Sequence, residues 1–442
     1  MTAIERVIAV VEAALRTHVE PDESVCVALS GGLDSIVLLD AVANIRDDVF
    51  AIHVHHGLSP NADAWAAFCQ EMCAGRGISL QVHRVSVERR GRGLEAAARA
   101  ARYAAYAAVA SRWILQAHHA DDAVETLLLR LNRGTGLRGL AGIPMTRALD
   151  ARHTLLRPLL ELPRDVLSEY SQVKRLRWIE DESNGDIRFD RNFLRQQVRP
   201  VIAQRFPAWR ENWVRASAHV RTAQRLLDDL AEIDVGARPA RLSLTKLRGL
   251  SSDRLCNALR YVLSVRGVDV PETAHLADIE RRIRTCRADA TLDIVIGPVA
   301  LMHYRGELHC VPANRAGAAA SFRRLLKGAQ SVTIPELNGT LHFAPVTGAG
   351  IAAAHPDWAS LVVRGREVAE SMKPDPRRPT RSLKNLFQEA GIPPWERAWL
   401  PRIVVREQLV WVESIGVATA WQACSQEAGW MPRWEPQSMR PG

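Results

Sequence analysis

An α/β fold opening with a doubly wound parallel sheet is predicted for this chain by three observations. Over residues 1–130, short apolar runs alternate with stretches of helical periodicity. That alternation is the pattern of strand–helix–strand units on a parallel sheet. The first run, Val25–Leu29, leaves through Ser30-Gly31-Gly32 straight into a second apolar run, Ile36–Leu39. The polar clusters Ser30-Gly31-Gly32, His55-His56-Gly57 and His118-His119 each close a predicted strand. They therefore share the carboxyl edge of the sheet, where such folds bind ligands.

In chain order, the strands are expected at Val25–Leu29, Val49–Val54, Leu80–Val85 and Trp113–Ala117, with helices near 4–17, 34–44, 61–75, 93–110 and 121–131. The helix near 93–110 is alanine-rich and carries Arg99 and Arg102 three apart, on one face. Gly134, Gly136, Gly139 and Gly142 predict a flexible loop after the fifth helix. Residues 206–290 read as mainly helical. Strand-like pieces follow at 292–297 and 308–311, then a β-rich region from 331. Ala316–Ala320 reads as a linker. Three domains are expected: 1–205 around the sheet, 206–325 mainly helical, and 331–442 a small α+β domain.

The chain has 442 residues, and 58 Lys and Arg against 49 Asp and Glu give a net charge of +9. That balance suits an acidic partner, nucleic acid first among them. Seven scattered cysteines suit a reduced compartment. Cys69 and Cys73, spaced C-x-x-x-C, are expected to pack rather than bind metal. With no signal-peptide pattern and no long apolar run, a cytoplasmic protein without membrane contact is expected.

Residues 30–35, S-G-G-L-D-S, carry the clearest chemistry. Glycines let a ligand reach the backbone, and a helix N-terminus presents free N–H groups to an anion. Asp34 and Ser35 are expected to cap that helix. The stretch lacks the lysine of a Walker loop and is not G-x-G-x-x-G. S-G-G-x-D-S resembles the pyrophosphate loop (PP-loop) of the ATP pyrophosphatases, whose fold is of the adenine nucleotide alpha hydrolase type. The resemblance implies that Ser30, Gly31, Gly32, Leu33, Asp34 and Ser35 bind ATP and that Asp34 holds Mg²⁺.

Three further blocks, His53–Ser59, Ala117–Ile143 and Trp178–Arg195, resemble the signature blocks of the tRNA(Ile)-lysidine synthetase family, and Leu383–Arg397 resembles its last domain. Ala123 stands where members commonly carry glutamine. The resemblance implies a carbon–nitrogen ligase. ATP adenylates the C2 oxygen of the wobble cytidine of isoleucine tRNA with a CAU anticodon. L-lysine then displaces AMP, and decoding changes from AUG to AUA. His119 and Asp122, three apart with Glu125 three further on, are expected to meet the adenylated base or the amine. Arg102, Arg191 and Arg195, with Asn192, are either solvated or clamp triphosphate or RNA backbone; the clamp is expected. His53, His55 and His56 have a zinc-site alternative, but no acidic or Cys ligand sits at a fixed offset, so packing and a substrate-edge role for His55 are expected. In the C-terminal region Arg377, Arg378, Arg381 and Lys384 are expected to hold the tRNA body. A PP-loop thiolase is the alternative, though the chain has no C-x-x-C pair. A homodimer is left open.

Overall fold

The computed structural model describes residues 1–87, 94–237, 239–287, 292–315, 322–326, 330–367 and 370–437. The expected linker at 316–320 lies outside them. The chain forms two compact units, 1–227 and 228–442. Among the described residues no helix is long and apolar enough to cross a membrane.

The first unit is built on β1 (Val25–Ala28), β2 (Val49–His55), β3 (Ser79–Arg84), β4 (Trp113–Leu115), β5 (Thr146–Ala148) and β6 (Thr154–Leu156), in the order β3-β2-β1-β4-β6-β5. All neighbours are parallel except the β5–β6 pair. The connection reverses direction between β1 and β4, which makes their carboxyl ends the switch point where ligands bind. Strands β5 and β6, three residues each, stand outside any apolar run like the one that marks β4.

Helices cover both faces, which is why β1 is apolar at every position. Val25 and Val27 pack in one core with Val7 and Val11 of α1 (Ala3–His18), Ile36–Leu39 of α2 (Leu33–Ala43), Cys69 and Cys73 of α3 (Ala62–Ala74) and Leu167 and Tyr170. Cys26 joins the opposite core with Ala105 and Tyr106 of α4 (Leu94–Tyr106). Both α3 thiols are buried, and burial pushes Cys69 up to about 12 and Cys73 to about 11, as packing groups. Then come α5 (Ala120–Asn132), α6 (Leu137–Leu140), α7 (Arg164–Val173), α8 (Asp190–Phe193), α9 (Arg199–Arg205) and α10 (Trp209–Val235). The glycine-rich segment after α5 is therefore not an open loop. It winds into α6, and Arg130 donates to the carbonyls of Gly139 (2.5 Å) and Gly142 (3.0 Å).

In the second unit α11 (Leu244–Gly249), α12 (Ser252–Ser264) and α13 (Thr273–Thr285) share a core with a four-stranded antiparallel sheet. That sheet comprises β7 (Arg241–Ser243), β8 (Asp293–Ile296), β9 (Val299–Tyr304) and β10 (Glu307–Pro312). Beyond it, further strands and α14 (Leu383–Glu389) enclose another core around Ile403 and Trp411. Beside it the Glu370 carboxylate lies 2.8 Å from Arg364 and 2.9 Å from Arg402, one acid between two buried guanidiniums.

Candidate active site

The loop after β1 is shaped by Gly31, whose φ of +90° suits glycine. A Cβ there would lie 2.7 Å from Ile179 Cδ1 and 3.1 Å from Cys69 Sγ. The Ile179 N–H donates to the Gly31 carbonyl at 2.9 Å, closing the loop from outside. Gly32, not Asp34 or Ser35, is the N-cap of α2, and it has no side chain to donate to. The Ser35 hydroxyl turns back instead: it accepts from the Ser30 and Gly31 N–H groups (both 3.2 Å) and donates to the Gly32 carbonyl (2.9 Å). The loop thus holds its own curvature. The first N–H groups of α2, at Leu33, Asp34 and Ser35, have no acceptor in the helical ladder, the arrangement by which a helix start receives an anion.

At the neighbouring end of β4, His119 is the N-cap of α5. Its Nδ1 accepts from the Asp122 N–H (3.3 Å), and Asp122 Oδ2 accepts from the His119 N–H (3.1 Å), a reciprocal capping pair. The ring is 1 % exposed, and Nε2 sits 3.5 Å from Asp122 Oδ2 and 3.7 Å from Asp34 Oδ2. His119 thus bridges the PP-loop-like turn and α5. Burial lowers its proton affinity, but the facing carboxylates of Asp34, Asp122 and Asp121 outweigh that and raise it. Against the cost of burial, the His119 and His118 rings and the Asp122–His119 backbone bond hold the Asp122 carboxyl below the ordinary range. Asp34 Oδ1 is buried without a hydrogen-bond partner, with Arg164 Nε 3.7 Å away.

The arginines divide. Arg195 grips Glu125 with two hydrogen bonds (2.7 and 2.9 Å) and lies 3.7 Å from Asp122, which places Glu125 in the cluster. Arg191 donates to Thr126 Oγ1 at 3.4 Å, and Asn192 Nδ2 donates to the Asp186 carbonyl at 2.9 Å. Arg102 lines a cavity beside His118. His55 bonds Asp63 (3.2 Å) and lies 3.3 Å from Arg84 Nη1, so the structure does not bring it to the Asp34 cluster. His53 Nδ1 is 2.9 Å from the Leu29 carbonyl, and among the described residues no cluster of three or more His, Cys, Asp or Glu is arranged to hold a metal ion.

Asp121 was readable only as a helix-start acid. It is 1 % exposed, accepts from the Arg164 N–H (2.9 Å) and from Arg210 (3.0 and 3.1 Å), and faces Arg199 at 3.5 Å. It pins α5 to α7, α9 and α10. Partners 43 to 89 residues away leave no local sequence signal.

In the second unit, Arg378 faces Asp375 (3.6 Å) and Glu389 (3.9 Å), and Arg381 pairs with Glu389. Arg377 and Lys384 are exposed. Trp395, beside this run in sequence, is buried with Ala300 and Met302 and is core.

Residues 4–202 match the PP-loop domain family, 242–309 the TilS substrate binding domain and 361–434 the TilS substrate C-terminal domain. The tRNA(Ile)-lysidine synthase of Nitrosomonas europaea is 38% identical over 434 residues, covering 96% of this chain and 94% of that one. That of Aromatoleum aromaticum is 40% identical over 433 residues, covering 94% and 98%. With similarity at this level running through all three matched regions, the chain belongs to the tRNA(Ile)-lysidine synthase family.

Proposed function

We propose that the chain is an ATP-dependent ligase that joins L-lysine to C2 of the wobble cytidine of the CAU-anticodon isoleucine tRNA, changing its decoding from AUG to AUA. One observation carries the reading: His119 ties the anion-binding turn after β1 to the acidic mouth of α5 at the switch point of the sheet. Phosphate and amine chemistry then share one small volume.

In the first step the cytidine O2 attacks the α-phosphorus of ATP, and the bond to the β-phosphate oxygen breaks. The Leu33, Asp34 and Ser35 N–H groups and the Ser30 hydroxyl receive the pyrophosphate. In the second, the lysine ε-amine attacks C2, the C–O bond breaks and AMP leaves. Asp122 takes the amine proton, with His119 fixing its orientation. Glu125, held by Arg195, faces the lysine ammonium. Arg102 and Arg191 contact phosphate or RNA backbone. Arg377, Arg378, Arg381 and Lys384 bind the tRNA body.

The residues fit a Mg²⁺ ion held largely by substrate. The unpartnered Asp34 Oδ1 is a hard oxygen donor, and one carboxylate plus phosphate oxygens is a usual Mg²⁺ set. Bound there, Mg²⁺ would offset the pyrophosphate charge.

The thiolase alternative is not favoured, because the relatives matched over nearly the whole chain are lysidine synthases. The test is AMP release with tRNA and ATP, with and without lysine, followed by mass spectrometry of the wobble nucleoside. Lysine-dependent AMP and a nucleoside heavier by one lysyl residue support the ligase. AMP release that ignores lysine and needs a sulfur donor overturns it.

A further inference from the structure

A polar cavity of the first unit has the opposite sign to the Asp34 cluster. Its volume is about 140 Å³, and six arginines line it: Arg99, Arg102, Arg130, Arg147, Arg157 and Arg191. No carboxylate is among its described lining residues. Like charges gathered in a partly dry space repel unless an anion joins them.

Among the described residues, their partners do not supply that anion. Arg157 is 2 % exposed and donates to the Pro144 carbonyl (2.9 Å) and to His118 Nδ1 (3.3 Å). Burial, with Arg147 and Arg99 nearby, pulls its guanidinium down to about 10. His118 is itself pushed down to about 4, chiefly by burial, and so adds no charge of its own near neutrality. Arg130 donates through Nη1 to two glycine carbonyls. Arg99 and Arg147 both lie over the Tyr103 ring, each 5.5 Å from its centroid, so their planes are set in advance. Arg191 Nε and Gln116 Oε1 are buried with no hydrogen-bond partner, a donor and an acceptor left open at the cavity.

We propose that this cavity is an oxyanion site that takes backbone phosphodiesters of the anticodon loop. The proposal rests on the ligase reading and adds to it where the RNA backbone is held. ATP has its own donors in the turn after β1. The cavity opens instead beside His118, next in the chain to His119, which touches Asp34. A wobble base whose O2 reaches ATP must leave its stack, and its sugar and phosphates then lie within a nucleotide of the reacting atoms. Arginine forks suit phosphodiester oxygens, and the His118–His119 step sets the base and its backbone on adjacent positions.

Arg99 and Arg147 are exposed on the rim, so Arg99→Gln and Arg147→Gln test the site without emptying the core. The probe is an anticodon stem-loop RNA with the CAU loop, titrated against salt, alongside KM for ATP and for lysine. Each variant should bind the stem-loop about two- to five-fold more weakly at low salt, and the slope of log K against log salt should fall by about 0.7 per arginine. Both KM values should stay unchanged. Unaltered RNA affinity and slope overturn the proposal. A raised KM for ATP with normal RNA binding assigns the cavity to nucleotide phosphate, and a raised KM for lysine assigns it to a carboxylate; either overturns the RNA source. Failure of the wild-type chain to release AMP with lysine would instead sink the ligase reading, so the two failures are told apart.

Discussion

Gly31→Ala isolates what the turn after β1 requires of its backbone. An alanine at φ +90° leaves the region open to L-residues, at a cost of about 1–2 kcal/mol. Its Cβ would also stand 2.7 Å from Ile179 Cδ1 and 3.1 Å from Cys69 Sγ. The Ile179 methyl ends a flexible side chain and can swing, and Cys69 needs to give by only a few tenths of an ångström, so overpacking adds about 1 kcal/mol, the low end of its usual range. The first unit should lose about 2–3 kcal/mol in all. Urea unfolding followed by tryptophan fluorescence reads this. Ile179→Val removes the clashing Cδ1, so the double variant should show a coupling of about 1 kcal/mol, while the backbone strain remains. AMP formation should fall about 100-fold, because a displacement of about 1 Å at a reacting phosphate has that effect. A Gly31→Ala protein within 0.5 kcal/mol of the parent, or a double variant with no coupling, would refute the reasoning.

Asp34→Ala should lower AMP formation by at least about 100-fold while the urea midpoint stays put; normal AMP formation would remove the carboxylate from the chemistry. Asp121 makes a pH prediction. Despite burial, its bonds from the Arg164 N–H and Arg210 hold its carboxyl below the ordinary value, so its stabilisation is full above the unfolded pKa of about 3.9 and fades as pH falls through the folded one. Asp121→Asn should therefore cost about 3–5 kcal/mol at pH 7, and the gap should narrow toward pH 3; parallel stability–pH curves would contradict it. In the C-terminal region, Arg377→Gln should reduce the salt slope of full-length tRNA binding by about 1. Arg381→Gln should reduce it less, because Glu389 already offsets that charge. Equal slopes for both would show that the ion pair opens on binding.

The sequence announced the parts of the site that are local. S-G-G-L-D-S is a continuous stretch, and His119 with Asp122 is a three-residue spacing, so both could be read before any fold was known. The short strands β5 and β6 could not, since Thr146–Ala148 and Thr154–Leu156 stand outside any apolar run like the one that marks the equally short β4. Neither could the pairings of Asp121 with Arg210 or of Glu125 with Arg195, which join residues 89 and 70 apart. The capping role expected of Ser35 failed for a specific reason: its hydroxyl is drawn to the amides of Ser30 and Gly31 behind it, and Gly32 is left at the helix start. Arg102 and Arg191 read as a phosphate clamp from the sequence, but nothing local shows that Arg99, Arg130, Arg147 and Arg157 line the same cavity.

His119 begins a helix and orients two acids with the same ring. A position with two employments has a short alphabet. Asparagine or serine could start the helix but would not reach both carboxylates, and a longer base could reach them but would leave the first turn of α5 open. Neutral drift at this site therefore has almost nowhere to go. Any lineage that changed it would have to rebuild the start of α5 and the geometry of Asp34 in the same step.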